Sequence, residues 1–250
     1  MISRTWIEMG MPVTVCLRDD QASEADIEPV RELLAGVNRR FSPFLESSEV
    51  SALNAGLVRR DQISGDLKSV LRLCEQTRQE TGGYFDIDRD GTIDPSGLVK
   101  GWAIQRASDL LFARGLRNYL VDAGGDVQAV GLGPHGRCWR VGIRNPFNRQ
   151  EIVKVLVIAN GAVATSGTAI RGSHIYNPRQ SGPLETDLVS LTVVGASILD
   201  ADRMATAAFA MGTAGVSFIS EQDGLECYGI AADRVATFTS GFMDYCVDAT

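Results

Sequence analysis

At Tyr119 the chain changes texture, and that change limits what it can fold into. Before it, apolar residues recur mainly at helical spacing. After it come short strands broken by glycine, at 119–123, 127–131, 137–143, 152–158, 162–166 and 189–194. A helix over roughly 201–212, another near 214–221, and two or three closing strands between 226 and 247 complete the pattern. Strands and helices are mixed without regular βαβ alternation, so an α+β fold is expected instead of a doubly wound parallel sheet. No linker or low-complexity stretch divides the chain, and its 250 residues suffice to bury a full core, so 1–250 reads as one domain.

In the first half, Trp6 to Leu17 alternates apolar and polar residues and predicts a strand. Residues 25–41 place Ile27, Val30, Leu33, Leu34 and Val37 at helical spacing, with Phe41 continuing the stripe. A polar loop and a short helix are expected within 41–56. Ser64 is placed to cap a helix that uses Leu67, Val70, Leu71 and Cys74 and ends before Gly82-Gly83. A further helix from about Val99 to Arg114 has Gly115 where a helix favours its C-terminal glycine.

Bulk properties exclude several classes of function. The net charge is −7 with no clustered Lys/Arg tract, which argues against nucleic acid or an anionic membrane as the main partner. No apolar run reaches the roughly 18 residues of a membrane-spanning helix. The N-terminus lacks the apolar core of a secretion signal, so a cytoplasmic location is expected. Five dispersed cysteines with no CxxC pair encode neither a disulfide framework nor a zinc site, and are expected to be buried thiols. GxGxxG and GxxxxGK[ST] are both absent.

The segment DPSGLVKGWA, 94–103, runs from a turn into a helix expected to open at Lys100, Gly101 and Trp102. Gly97 and Gly101 add no bulk, amides at a helix start favour negative charge, and Lys100 adds a point charge, a combination suited to a diphosphate. Asp202 and Thr206 lie four apart on a small-residue helix, so both oxygens project from one face. Such an oxygen pair suits Mg²⁺, and equally suits an Asp near a helix start beside a Thr that bonds back to a carbonyl. His174 follows a glycine-rich bend and is a candidate general base or a structural histidine, whereas His135 sits in an exposed Gly-Pro turn. GGYFDID at 82–88, DAGGDVQAVG at 122–131 and TSG at 165–167 set Gly beside Asp or Ser at strand ends, where backbone can touch a ligand or simply turn.

Taken in order, EMGMPVTV, FSPFLESSEVSALN, TGGYFDID, DPSGLVKGWAIQRA, YLVDAGGDVQAVG, WRVGIRNP, ATSG with HIYNPRQSG, and VSLTVVGASILDADRMATAAFAMG resemble the ApbE family of FAD:protein FMN transferases over nearly the whole chain. The resemblance implies largely antiparallel sheets with packed helices in T-fold-like halves. It also implies an enzyme that takes FAD as substrate, uses Mg²⁺, and moves FMN onto a Thr or Ser hydroxyl of an acceptor protein with release of AMP. By the same resemblance Asp202, Thr206 and the Gly97 carbonyl are metal ligands, and His174 serves the acceptor hydroxyl. FAD contacts are expected at Met9, Phe44, Tyr84, Phe85, Asp86, Asp94, Lys100, Gly124, Gly125, Asp126, Thr165, Ser166, Gly167, Ile175 and Tyr176. The acceptor is expected to carry a Ser/Thr-Gly-Ala-Thr motif, which this chain lacks.

Three departures stand out: no signal or lipobox cysteine is present, the stretch from TSG to His174 is short, and Ala205 occupies a position where some relatives carry a carboxylate. Two other functions fit the same residues. Water in the acceptor position makes the enzyme an FAD pyrophosphatase, and a non-catalytic flavin carrier keeps the FAD contacts without needing Asp202, Thr206 and His174 together.

Overall fold

The computed structural model describes residues 1–168, 176–180 and 186–247. His174 and Ile175 therefore lie outside the described residues. The predicted strand at 6–17 is instead a hairpin of β1 (Ile2–Glu8) and β2 (Met11–Leu17). Met9 and Gly10 turn it, with φ of 52° and 72°. Positive φ at both central residues is the two-residue turn that matches strand twist, and the apolar alternation running across it hid the break. Met9 is an unusual residue for that conformation.

Helices α1 (Glu28–Phe41), α2 (Glu49–Asn54) and α3 (Gly65–Glu80) follow. The Ser64 hydroxyl accepts from the Leu67 amide at 3.2 Å and caps α3 as expected. A small hairpin of β3 (Asp88–Arg89) and β4 (Thr92–Ile93) leads into α4 (Ser96–Ala113). Gly115 closes α4 at φ 91°.

The strands β5 (Tyr119–Ala123), β6 (Asp126–Val130), β7 (Trp139–Arg144), β8 (Ile152–Ile158), β9 (Gly161–Gly167) and β10 (Leu188–Gly195) come next. Helices α5 (Ile198–Ala210) and α6 (Ala214–Ser220) and strands β11 (Glu226–Ala231), β12 (Ala236–Phe238) and β13 (Cys246–Val247) complete the chain.

An eight-stranded sheet in the order β1-β2-β5-β6-β9-β10-β11-β12 is antiparallel at every junction, and among the described residues it does not close into a barrel. The helices cover one face, burying Val13, Val15, Val121 and Leu191 against Leu34, Leu67, Ile104 and Phe209. A second sheet, β13-β8-β7, packs on the other face through Trp139, Val141, Leu156 and Phe242 against Val127, Val163, Val194 and Tyr228. Coverage on both sides explains why β10, LVSLTVVG, is buried along nearly its whole length. Of the five cysteines, all free, only Cys74 and Cys227 are fully buried; Cys16, Cys138 and Cys246 are partly so. No helix among the described residues is long and apolar enough to cross a membrane.

Candidate active site

The crossing of α4 and α5 organises the site. A Cβ on Gly101 would lie 2.8 Å from Asp202 Cβ and 2.9 Å from the Ile198 carbonyl, so only glycine lets the helices approach this closely. Here the sequence expectation needs correction. The helix opens at Ser96, not Lys100, which places Lys100 and Gly101 in its second turn. The Gly101 amide donates to Asp202 Oδ2 at 2.7 Å and Gly101 serves helix packing. The Ser96 amide, at the true start, already donates to Asp94 Oδ1 at 3.0 Å. Pro95 ends the preceding turn without supplying a side-chain cap, which is why the start was misplaced.

Asp202 and Asp126 are buried and share the Lys100 ammonium, which lies 3.1 Å from Asp202 Oδ1 and forms a close ion pair with Asp126 Oδ2. Alternation along β6 sends Val127 and Ala129 toward the second sheet and Asp126 and Gln128 toward the helices. Asp126 Oδ1 also accepts from the Thr165 amide at 2.9 Å. Burial pushes the Asp202 carboxyl up to about 6, and Asp126 adds repulsion, while Lys100 and the Gly101 amide pull in the opposite direction.

One turn along α5, the Thr206 hydroxyl donates to the Asp202 carbonyl at 3.0 Å and approaches the Gly97 carbonyl at 3.4 Å. The Thr-to-carbonyl bond weighed as the plain structural alternative is therefore present; it engages the main-chain carbonyl of Asp202, whose carboxylate is bound instead to the Gly101 amide and Lys100. Gly97 is wedged between Phe85 and Thr206: a Cβ there would meet Phe85 Cε2 at 3.3 Å and Thr206 Cγ2 at 3.4 Å. Phe85, 3% exposed, thus supports Gly97 from within the core.

Nearby, the Tyr176 hydroxyl donates to the Asp86 carbonyl at 2.6 Å, and Arg89 lies over the Tyr176 ring at 5.2 Å. Burial, aided by Asp86 and Asp94, pushes the Tyr176 phenol up to about 12. Arg179 lies 4.8 Å over the Tyr84 ring, so the GGYFD and NPR segments form one aromatic and cationic wall. Gly124 and Gly125, at φ 64° and 98°, form the β5–β6 turn that delivers Asp126. The Thr165 hydroxyl bonds to that of Thr192 at 2.9 Å, while Ser166 is buried and Gly167 half-buried in β9. Phe44 is 89% exposed on the α1–α2 loop, and Met9 packs against the main core.

Two supporting residues escaped the sequence reading. Buried Gln128 donates to the Gly161 carbonyl at 3.1 Å and the Ala196 carbonyl at 3.3 Å, and accepts from the Ile198 amide at 2.9 Å, fixing the start of α5 to the sheet. Its signal was a lone amide in the otherwise apolar run VQAV. Arg203 joins α5 to α3 through an ion pair with Glu80 and a 3.3 Å bond to Thr77 Oγ1, and it also pairs with Asp200 at 2.8 Å. Among the described residues no group of three or more His, Cys, Asp or Glu side chains is arranged to hold a metal.

The helix-backed antiparallel sheet has counterparts among known proteins. The profile of the ApbE family matches residues 9–90 and 87–229, and the chain belongs to that family. It is similar to the FAD:protein FMN transferase of Vibrio cholerae serotype O1, 33% identical over 129 residues, which are 48% of this chain and 39% of that protein. The protein of the same name from Salmonella typhimurium is 31% identical over 147 residues, 55% of this chain and 42% of that protein. The matched stretches thus span under half the length of these relatives. In three dimensions the chain resembles the flavin transferase ApbE from Vibrio cholerae, with TM-score 0.85, 21% identity and 98% of each chain covered. It also resembles the ApbE protein of Thermotoga maritima, with TM-score 0.88, 19% identity and 99% of each covered.

Proposed function

We propose that this protein transfers FMN from FAD to a Ser or Thr hydroxyl of an acceptor protein, with Mg²⁺ as the metal. The observation that carries the reading is the crossing of α4 and α5, where the Asp202 carboxylate binds Lys100 and the Gly101 amide and, one turn along α5, the Thr206 hydroxyl lies against the Gly97 carbonyl. The names of the family relatives support the substrate and the reaction. The donor set fits Mg²⁺: it is all oxygen, and a cationic ammonium already lodges against its one carboxylate, that of Asp202. When bound, the metal would neutralise charge on the diphosphate.

The chain's own residues divide the remaining work. Lys100 supplies a second positive charge for the diphosphate, and the Tyr84 and Tyr176 wall offers aromatic surface for the flavin. His174 takes the proton of the acceptor hydroxyl as its oxygen attacks the phosphorus of the FMN moiety. The P–O bond of the diphosphate breaks and AMP departs. An acceptor with a Ser/Thr-Gly-Ala-Thr motif and a cytoplasmic setting belong to this reading, as does the organisation of residues 1–250 as a single transferase domain.

The test is incubation with FAD, Mg²⁺ and an acceptor carrying that motif. Covalent flavin fluorescence on the acceptor and one AMP per label are expected. AMP release with no labelled acceptor, across several acceptors, would replace the transferase with a pyrophosphatase, and full activity in excess EDTA would remove the metal. His174→Ala is expected to lower transfer by on the order of 10²-fold while FAD affinity is retained.

A further inference from the structure

Lys100 does not reach toward open solvent. Its ammonium is largely buried and bridges two carboxylates that come from different elements, Asp126 at the start of β6 and Asp202 within α5. The carboxylates are held independently of it: Asp126 by the Thr165 amide and Asp202 by the Gly101 amide. Two buried carboxylates brought to one point repel unless a cation lies between them. The ammonium supplies that cation at a place where no third acidic side chain gathers among the described residues.

We infer that Lys100 is a resident counter-cation of the metal site, that Asp126 belongs to that site, and that a divalent ion enters by displacing the ammonium from between Asp126 and Asp202. The inference rests on the metal-dependent reading above. Displacement does two things at once. The carboxylates exchange a monovalent for a divalent partner, and Lys100 is released on its flexible stem toward the phosphates of the substrate. Metal entry and the availability of Lys100 for the diphosphate are then one event, and the ammonium offsets part of the carboxylate charge before the metal arrives.

The consequence is opposite in sign to that of a lysine acting only on substrate. Removing a substrate-binding lysine leaves metal affinity unchanged, and removing a merely structural one lowers stability equally with and without metal. Removing a competing cation strengthens metal binding. Binding of Mn²⁺, measured by titration calorimetry without FAD, is expected to be on the order of 10-fold tighter for Lys100→Met than for wild type. In EDTA the variant melts below wild type by roughly 5 °C, and saturating Mn²⁺ restores most of the difference. Asp126→Asn is expected to weaken Mn²⁺ binding.

A second measurement needs no variant. Acylation of Lys100 in wild-type protein, followed by mass spectrometry, is expected to speed up several-fold when Mn²⁺ is added. Equal Mn²⁺ affinity in wild type and Lys100→Met, or labelling of Lys100 indifferent to Mn²⁺, overturns the exchange while leaving metal-dependent transfer standing. Absence of any Mn²⁺ or Mg²⁺ binding to wild type removes both.

Discussion

The two faces of the eight-stranded sheet are covered in opposite ways. On the side of the second sheet, Trp139, Val141, Ile143, Leu156 and Phe242 make a dry layer, and Tyr228 stacks on Phe242 with centroids 5.2 Å apart. On the helix side the core is larger, yet it contains Asp126, Gln128, Lys100 and Asp202, with Arg203 at its margin. Buried polar groups of that kind are costly unless paired, and they concentrate where chemistry needs them. One face of the sheet therefore provides cohesion, and the other gives up some cohesion to hold a charged site. Substitutions on the two faces should fail in different ways.

The largest effect is expected from Asp202→Ala, which removes the buried carboxylate bound to both Lys100 and the Gly101 amide. Metal-dependent turnover should vanish while the circular dichroism spectrum stays native, and Thr206→Val should be impaired less because it loses a neutral donor. Wild-type rates for both at limiting Mg²⁺ would mean that the helix side is as purely structural as its opposite.

Trp139→Ala, on the dry face, should cost about 3–5 kcal/mol in urea unfolding. The folded fraction should keep its kcat, since Trp139 packs in the second core and its indole N–H donates to the Val130 carbonyl at 3.2 Å. A large fall in kcat for the folded protein would erase the division between the faces.

Gly101→Ala sharpens the comparison because it combines both failures. The added methyl meets the Ile198 carbonyl and Asp202 Cβ, and forcing the helices apart should cost about 1–3 kcal/mol together with a loss of turnover.

A test that needs no change in turnover is a pH dependence of stability in EDTA. Asp202 has a folded pKa of about 6 against an ordinary 3.8. Its contribution is thus present in full below pH 3.8 and lost as pH rises through about 6. The thermal midpoint of wild type relative to Asp202→Asn should fall across that window and level off above it. A flat difference would mean that Lys100 fully compensates the burial of the carboxylate.

Much of this was legible in the sequence, and the omissions have identifiable causes. The strands 119–123 and 152–158, the Ser64 cap and the Gly115 stop were readable because period and capping chemistry act locally. The hairpin at Met9-Gly10 was not, because its turn carries an apolar residue where Asn or Asp is the usual signal. The Asp202–Thr206 pair could be read from helical spacing, and the Gly97 carbonyl came only with the family resemblance. Asp126 was placed near the cofactor, but its union with Lys100 depends on the face that β6 presents, which is settled by a sheet contact 26 residues along the chain from Lys100. Phe85 was placed at the cofactor by the family resemblance alone, and its packing beneath Gly97 depends on how the GGYFD turn meets α4, which no local period encodes.

Gln128 shows what such an arrangement means for sequence drift. One side-chain amide both donates to two carbonyls and accepts from the first amide of α5, so its replacement must offer donor and acceptor at the same reach. Glutamate keeps the acceptor and loses the donors; leucine loses both; asparagine is a methylene short. The position is therefore nearly closed to substitution on the grounds of these main-chain bonds alone. A survey of tolerated mutations would mark Gln128 as strictly as the reactive residues, for reasons of carpentry and not of chemistry.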